Sequence, residues 1–419
     1  MTEVADTPTE TPMVEFEPNN EPASDWATDF DHVDPRYNPN APAIWDELRE
    51  TCPVAHSDRY GGTWLPVKHA DVRRIAYDTE NFTSRQVIVS NVRLDHDSSP
   101  VGGAPPITSD PPFHQHARKI LLPLFRPDKM DPWESKVHEL CNNRLDAMGE
   151  ITPGETVIDA AKQYAQHVPV SVISRMLGFP PADDDLFRYF VHNVLEGIQR
   201  PIEERQAAGE ELDAYLDQQV QDHIDNPRDD LTGTLLKSQI FGQPLSREHV
   251  RGSIALLLIA GIDTTWSAIG SSLWHLAQNP DDRHRMQNEP ELIPAAIEEM
   301  LRAYAPVTMA RLVKQDFDFN GCPMKAEDFV LLPFPAANRD PEMFERADEV
   351  IIDREVNRHS AFGLGIHRCL GSNLARMELR IAVEEFLKRF RDFELADPDA
   401  VTWSTGQIRG PRTLPIRII

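Results

Sequence analysis

The stretch Phe362-Gly363-Leu364-Gly365-Ile366-His367-Arg368-Cys369-Leu370-Gly371 constrains this chain more than any other, because it sets one cysteine in a glycine-rich loop at the mouth of a helix. After Cys369 the apolar residues Leu379, Ala382, Val383, Phe386, Leu387 and Phe390 recur at helical spacing. The sulfur is therefore expected beside unpaired N–H groups and the positive end of a helix dipole, both of which favour a thiolate. Gly363, Gly365 and Gly371 lack a Cβ and let the backbone approach a flat ligand. A lone cysteine in such a place reads as a buried structural thiol, a zinc ligand or the ligand of a softer metal centre. Zinc calls for further Cys or His ligands at short spacing, and only His367 lies near, outside any CxxC pattern.

A second chemically odd place is the apolar run Ile254 to Ile262, followed by Asp263-Thr264-Thr265. The run is too short to span a bilayer, which takes about 20 residues, so it reads as a buried core helix interrupted by polar groups. Gly261 weakens that helix by about 1 kcal/mol relative to alanine. Polar groups there read either as a functional site or as threonines bonded back to the turn before them. Glu299 and Arg302 are an i,i+3 pair, worth a few tenths of a kcal/mol if exposed. His114 and Arg118, four apart, share one helix face.

The ten residues F-G-x-G-x-H-x-C-x-G match the haem-binding signature of the cytochrome P-450 family in full, and further segments resemble that family in the expected order. The resemblance implies a mainly α protein with small β-sheets, a single haem domain over residues 36–419, and haem b (iron protoporphyrin IX) as cofactor. It makes Cys369 the axial iron thiolate, which favours O–O cleavage. Glu299, Arg302 and Arg354 become a structural network. In Ala260-Gly261-Ile262-Asp263-Thr264-Thr265, the two small residues leave room for dioxygen; Thr264 would hold it and an ordered water, and Asp263 would relay protons from the surface. Asp110-Pro111-Pro112-Phe113-His114-Gln115-His116-Ala117-Arg118 resembles a propionate-binding segment, so His114 and Arg118, with Arg311 and His367, are expected at the haem's anionic edge. His116 is expected to be solvated. Phe362, Gly363 and Gly261 would lie against the cofactor.

By the same resemblance, Val87, Ile88, Val89, Val92, Leu256, Ile259, Ala260, Val307, Thr308, Met309, Gln407 and Ile408 line the substrate pocket. Most are aliphatic, so a small or medium apolar molecule, a terpenoid or a simple aromatic, is expected. Arg85, Arg93 or Arg409 would instead meet a carboxylate. The implied activity is insertion of one oxygen atom of O2 by hydroxylation, O-dealkylation or epoxidation. The alternatives are an H2O2-dependent peroxygenase and a non-catalytic haem sensor, neither of which needs Asp263 and Thr264.

Four cysteines in 419 residues (Cys52, Cys141, Cys322, Cys369) give no disulfide framework, which reads as cytoplasmic. Met1 to Pro35 carries ten acidic residues and no Lys or Arg. That is expected to be a disordered or loosely draped acidic arm over residues 1–35, unlike a signal peptide or anchor. The net charge of −26 argues against nucleic acid and anionic membranes. No phosphate-cradling glycine loop of a flavin or nicotinamide domain is present, so electrons would come from a separate ferredoxin, of the 2Fe-2S type, with a reductase and NAD(P)H. Arg118, Lys119, Arg126, Lys129, Arg368, Arg376 and Arg380 are the basic residues expected to dock it, with Arg118 pointing inward. Helical patterns run near Trp133 to Met148, Leu186 to Glu196, Pro201 to Asp225 and Pro290 to Tyr304. Gly61 to Val67 reads as a strand, and Asp316 to Phe319 as one arm of a hairpin reaching Phe329 to Leu332 by a long loop.

Overall fold

The computed structural model describes residues 14–93, 103–197 and 200–419. Its central element is the helix Arg247–Gln278, whose first turn is capped by Ser246 Oγ accepting the His249 N–H at 3.1 Å. The helix runs unbroken through Gly261 to Thr265, which corrects the expected interruption. Asp263 is held by an arginine from a distant strand and Thr264 donates to the Ala260 carbonyl, so the polar groups are satisfied without opening the helical ladder. Whole, the helix is long and apolar enough to cross a membrane, but 61% of its most apolar window is buried inside the fold. It packs against helices His167–Met176, Asp184–Leu195, Ile202–Asp225 and Ser372–Arg389, and Ile254, Leu258, Ile262, Ile269 and Leu273 are fully covered.

The predicted helices are present with shifted ends. Trp133 to Met148 starts earlier, as Pro127–Asp146, because Pro127 and extended Arg126 begin the first turn. Pro290 to Tyr304 divides into a short 3-10 turn, Pro290–Leu292, and the helix Ile293–Ala303. The largest sheet has the strand order Val54–Ser57, Thr63–Pro66, Phe329–Pro333, Thr308–Val313, Phe82–Thr83; Phe329–Pro333 is parallel to Thr63–Pro66, and the other pairs are antiparallel. The long-loop hairpin is corrected: Phe317–Phe319 pairs with Cys322–Met324 across Asn320-Gly321, both at positive φ, and Phe329–Pro333 belongs to the other sheet.

The disordered arm is also corrected within the described residues, with residues 1–13 lying outside them. Val14–Glu15 pairs with Val92–Arg93, and Phe16 covers Gly61 so closely that a Cβ there would lie 2.4 Å from its ring. Phe30 and Val33 are core residues. Three of the arm's acidic residues have basic partners: Asp29 and Asp31 meet buried Arg59 at 2.7 and 3.3 Å, and Asp34 chelates Arg36. Composition predicted disorder because the basic partners of these carboxylates lie beyond Pro35.

Candidate functional site

A cavity of about 1450 Å³, counting its mouth, lies between the helix Arg247–Gln278 on one side and the Phe362–Gly371 loop with the helix Ser372–Arg389 on the other. Of the predicted site residues, Cys369, Phe362, Gly363, Gly261, Thr264, Arg118, Arg311, His367, Leu256, Ala260, Val307 and Met309 line it. Cys369 lies three residues before the helix Ser372–Arg389, exposed to the cavity, and its N–H donates to the Phe362 carbonyl at 2.6 Å. Desolvation raises its thiol, while the Gly371 N–H and the charges of Arg118, Arg368 and Arg376 pull the other way. The helix N-terminus and three guanidiniums thus converge on one sulfur.

Two of the cavity's cations come from different elements. Arg118, on the helix Phe113–Leu121, donates to the Arg368 carbonyl at 2.5 Å; Arg311, on the strand Thr308–Val313, is 5% exposed and donates to the Ala310 carbonyl at 2.7 Å. Burial pushes Arg311 down to about 10, with Asp110 opposing. His114 does not line the cavity. Its ring lies 4.4 Å from that of His367, edge-on, and neither of its buried nitrogens has a hydrogen-bond partner. Burial, then Arg118, pushes His114 down to about 4; burial, then Arg311, pushes His367 down to about 2, so both rings are neutral N–H donors at neutral pH. His367 Nε2 meets Ser84 Oγ at 2.8 Å. His116 is exposed, its ring 4.5 Å from Phe241.

On the opposite wall, Thr264 Oγ1 donates to the Ala260 carbonyl at 2.9 Å, which turns its lone pairs outward as acceptors. Asp263 is buried and does not line the cavity. Its Oδ1 and Oδ2 lie 2.8 and 2.9 Å from Arg412 Nη2; Arg412 also donates to Ser267 Oγ at 3.1 Å and Glu196 Oε1 at 2.6 Å. Burial pushes the Asp263 carboxyl up, against the pull of Arg412. Sequence reading missed Arg412 and Glu196, since nothing local links a residue near the end of the chain to a helix 149 positions earlier.

Several pocket expectations are corrected. Val87, Ile88, Val89, Val92, Ile259, Thr308, Gln407 and Ile408 do not line the cavity. Gln407 instead staples a loop to a strand: its Oε1 accepts from Val89 N (2.6 Å), and its Nε2 donates to the Val87 and Thr308 carbonyls (3.0 and 2.9 Å). Val89 belongs to the core under the large sheet, and Ile408 bridges Val307. Ile259 packs into the main core. Pro106, Ile107, Ile173, Leu257 and Phe334 take these places on the wall; their apolar character gave no signal that separates a cavity wall from a core. None of the three candidate carboxylate-binding arginines reaches the cavity: Arg85 pairs with Glu327, Arg93 stacks 4.0 Å over Phe329, and Arg409 donates to the Asn38 carbonyl at 2.8 Å.

Behind the cysteine loop, Arg302 Nε and Nη2 bind Glu299 Oε2 and Oε1 at 2.8 Å each, and Arg354 Nε reaches Oε2 at 3.0 Å. Glu299 and Arg302 are wholly buried. Arg302 also donates to the carbonyls of Asn338, Ala347 and Glu349, which fixes the segment leading to the loop. The expected docking cations divide. Arg376 is bound by Glu298, Arg380 by Glu134 and Glu384, and Arg126 by Asp128, whereas Lys119, Lys129 and Arg368 are exposed with no ion-pair partner among the described residues.

Residues 181–401 match the family profile described as Cytochrome P450. A probable cytochrome P450 127A1 of Sinorhizobium fredii is 33% identical over 83% of this chain and 82% of its own length. The polyketide biosynthesis cytochrome P450 PksS of Bacillus subtilis is 30% identical over 91% and 96%. The solved structure of PksS superposes with a TM-score of 0.82, covering 93% of this chain and 99% of that one at 29% identity. That of CYP109E1 from Bacillus megaterium in complex with testosterone has a TM-score of 0.81, covering 91% and 98% at 30% identity.

Proposed function

Since the chain belongs to the cytochrome P450 family of haem b monooxygenases, we propose that it inserts one atom of O2 into a small or medium apolar substrate, in the cytosol, with electrons from a separate ferredoxin. The observation that carries this reading is one cavity that brings the Cys369 thiol, the guanidiniums of Arg118 and Arg311, and the Thr264 hydroxyl around a mainly apolar slot that Thr265, His367 and Glu378 also line. These residues fit haem b. Cys369 would hold its iron; Arg118, Arg311, His367 and the unpartnered nitrogens of His114 supply donors for its carboxylates. Haem b, when bound, supplies the iron chemistry that reduces and splits dioxygen.

The chain's own residues do the rest. Arg412 holds Asp263 in a dry place where burial pushes its carboxyl up against the pull of the guanidinium, which makes Asp263, one residue before Thr264, the group placed to exchange a proton there. Thr264, its own hydrogen engaged by Ala260, accepts a hydrogen bond and fixes a donor, such as a water, at the cavity wall. The aliphatic wall excludes water, so the oxidant meets substrate. On the wall formed by the helix Arg247–Gln278 the polar groups are the hydroxyls of Thr264 and Thr265, which favours an uncharged substrate there over a carboxylate.

Cys369→Ser tests the cysteine: the carbon monoxide complex of the ferrous enzyme should lose the red-shifted band that thiolate ligation gives, and retention of the band would exclude Cys369. Thr264→Ala should keep consuming NAD(P)H while product falls and peroxide appears. Full coupling in that variant removes the role given to Thr264. Turnover with ferredoxin, reductase and NAD(P)H, compared with H2O2 alone, separates a monooxygenase from a peroxygenase, and turnover by neither would leave the haem sensor.

A further inference from the structure

Next to the Glu299 network a second cluster ties the cysteine loop down from both ends. Arg376, in the helix that follows Cys369, donates from Nε to Glu298 Oε1 at 2.6 Å and from Nη2 to Oε2 at 2.9 Å. His359, ten residues before Cys369 and 3% exposed, places Nε2 3.0 Å from the same Oε2. Its Nδ1 accepts the Ala361 N–H at 3.2 Å, which leaves the ring proton on Nε2, facing Glu298. The Arg376 guanidinium lies 4.3 Å over the Phe362 ring, and the Phe362 carbonyl is the acceptor for the Cys369 N–H. One carboxylate on the helix Ile293–Ala303 thus fixes the loop before the cysteine and the helix after it. The sequence reading placed Arg376 on a free docking surface; its bidentate pairing and its stack over Phe362 point inward instead.

We propose that Glu298, His359 and Arg376 are positioning residues for Cys369, holding Phe362 so that its carbonyl fixes the cysteine backbone and keeping one guanidinium charge beside the sulfur. This rests on the reading of Cys369 as the haem ligand. Residues that orient a metal ligand without touching the metal typically change metal retention about 10–100-fold when lost. A charge near the ligand also shifts the reduction potential in a direction set by its sign.

The test uses haem-loaded Arg376→Ala, Arg376→Lys and Glu298→Gln. Transfer of haem to a scavenger should be about tenfold faster in Arg376→Ala and Glu298→Gln than in the wild type, with a weakened thiolate band in the carbon monoxide spectrum. Arg376→Lys keeps the charge without the fork or the flat stack and should fall between. Removing the positive charge should lower the reduction potential, and removing the negative charge should raise it. Purely structural damage predicts no such opposition, so potentials that move the same way, or wild-type haem loss in both Arg376→Lys and Glu298→Gln, overturn the proposal. Should Arg376→Ala fail to fold, those two variants still carry the test. Failure of the underlying reading is distinguishable, because Cys369→Ser would then keep the thiolate band.

Discussion

His32 is buried, neither ring nitrogen has a hydrogen-bond partner, and its ring lies 5.2 Å from that of Tyr60. Burial pushes it down from 6.5 to about 4, against the pull of Asp31. The unfolded chain therefore takes up the proton first, so this group's contribution is complete above pH 6.5 and is lost as pH falls toward 4. The loss is about 3 kcal/mol. His32→Phe should flatten the urea-unfolding free energy across that window; equal pH slopes in variant and wild type would contradict it. Burial also decides the worth of ion pairs. Glu299–Arg302 and Glu349–Arg346 have the same i,i+3 spacing, but the first is wholly buried and the second is about half exposed. Arg302→Ala should cost about 3–5 kcal/mol in unfolding free energy, and Arg346→Ala should leave it almost unchanged. Similar losses in the two would refute the burial argument. The spacing of Glu299 and Arg302 was legible in the sequence, and their burial was not.

Elements succeed or fail here by what they touch. Gly365 has φ +69°, and a Cβ on it would lie 2.3 Å from the Ala76 carbonyl oxygen, at the end of the helix His69–Tyr77. Gly365→Ala combines a left-handed backbone with a clash against main chain, so it should lower unfolding free energy by about 2 kcal/mol or more. A loss of only a few tenths would mean that the loop has room to move. The glycines of this loop were legible as a constraint, but not the helix that constrains them. In the same way the Val87–Val92 segment reads as a pocket wall by the family resemblance. Gln407 holds it away from the cavity, accepting from the Val89 N–H and donating to the Val87 carbonyl, and ties it to the sheet through the Thr308 carbonyl.

On the scale of the molecule, a net charge of −26 disfavours approach by an acidic electron carrier unless a local patch opposes it. Lys119, Lys129 and Arg368 remain available for that patch, the two lysines lying near half-exposed Leu122 in sequence. Charge reversal at Lys119 and Lys129 should slow reduction by an acidic ferredoxin without changing substrate affinity, and the wild-type rate should fall with salt. A salt-independent rate measured by stopped flow would remove the patch from the proposal. The sequence by itself determined the helical architecture and the glycine-rich cysteine loop before a helix, because period, glycine spacing and a contiguous motif are local properties of the chain. Only the tertiary structure decided which aliphatic residues face the cavity, which arginines are already paired, and that the described part of the acidic segment, residues 14–35, packs on the domain. Each of these depends on partners far away in sequence, and burial and charge pairing take their energy from those partners rather than from the residues alone.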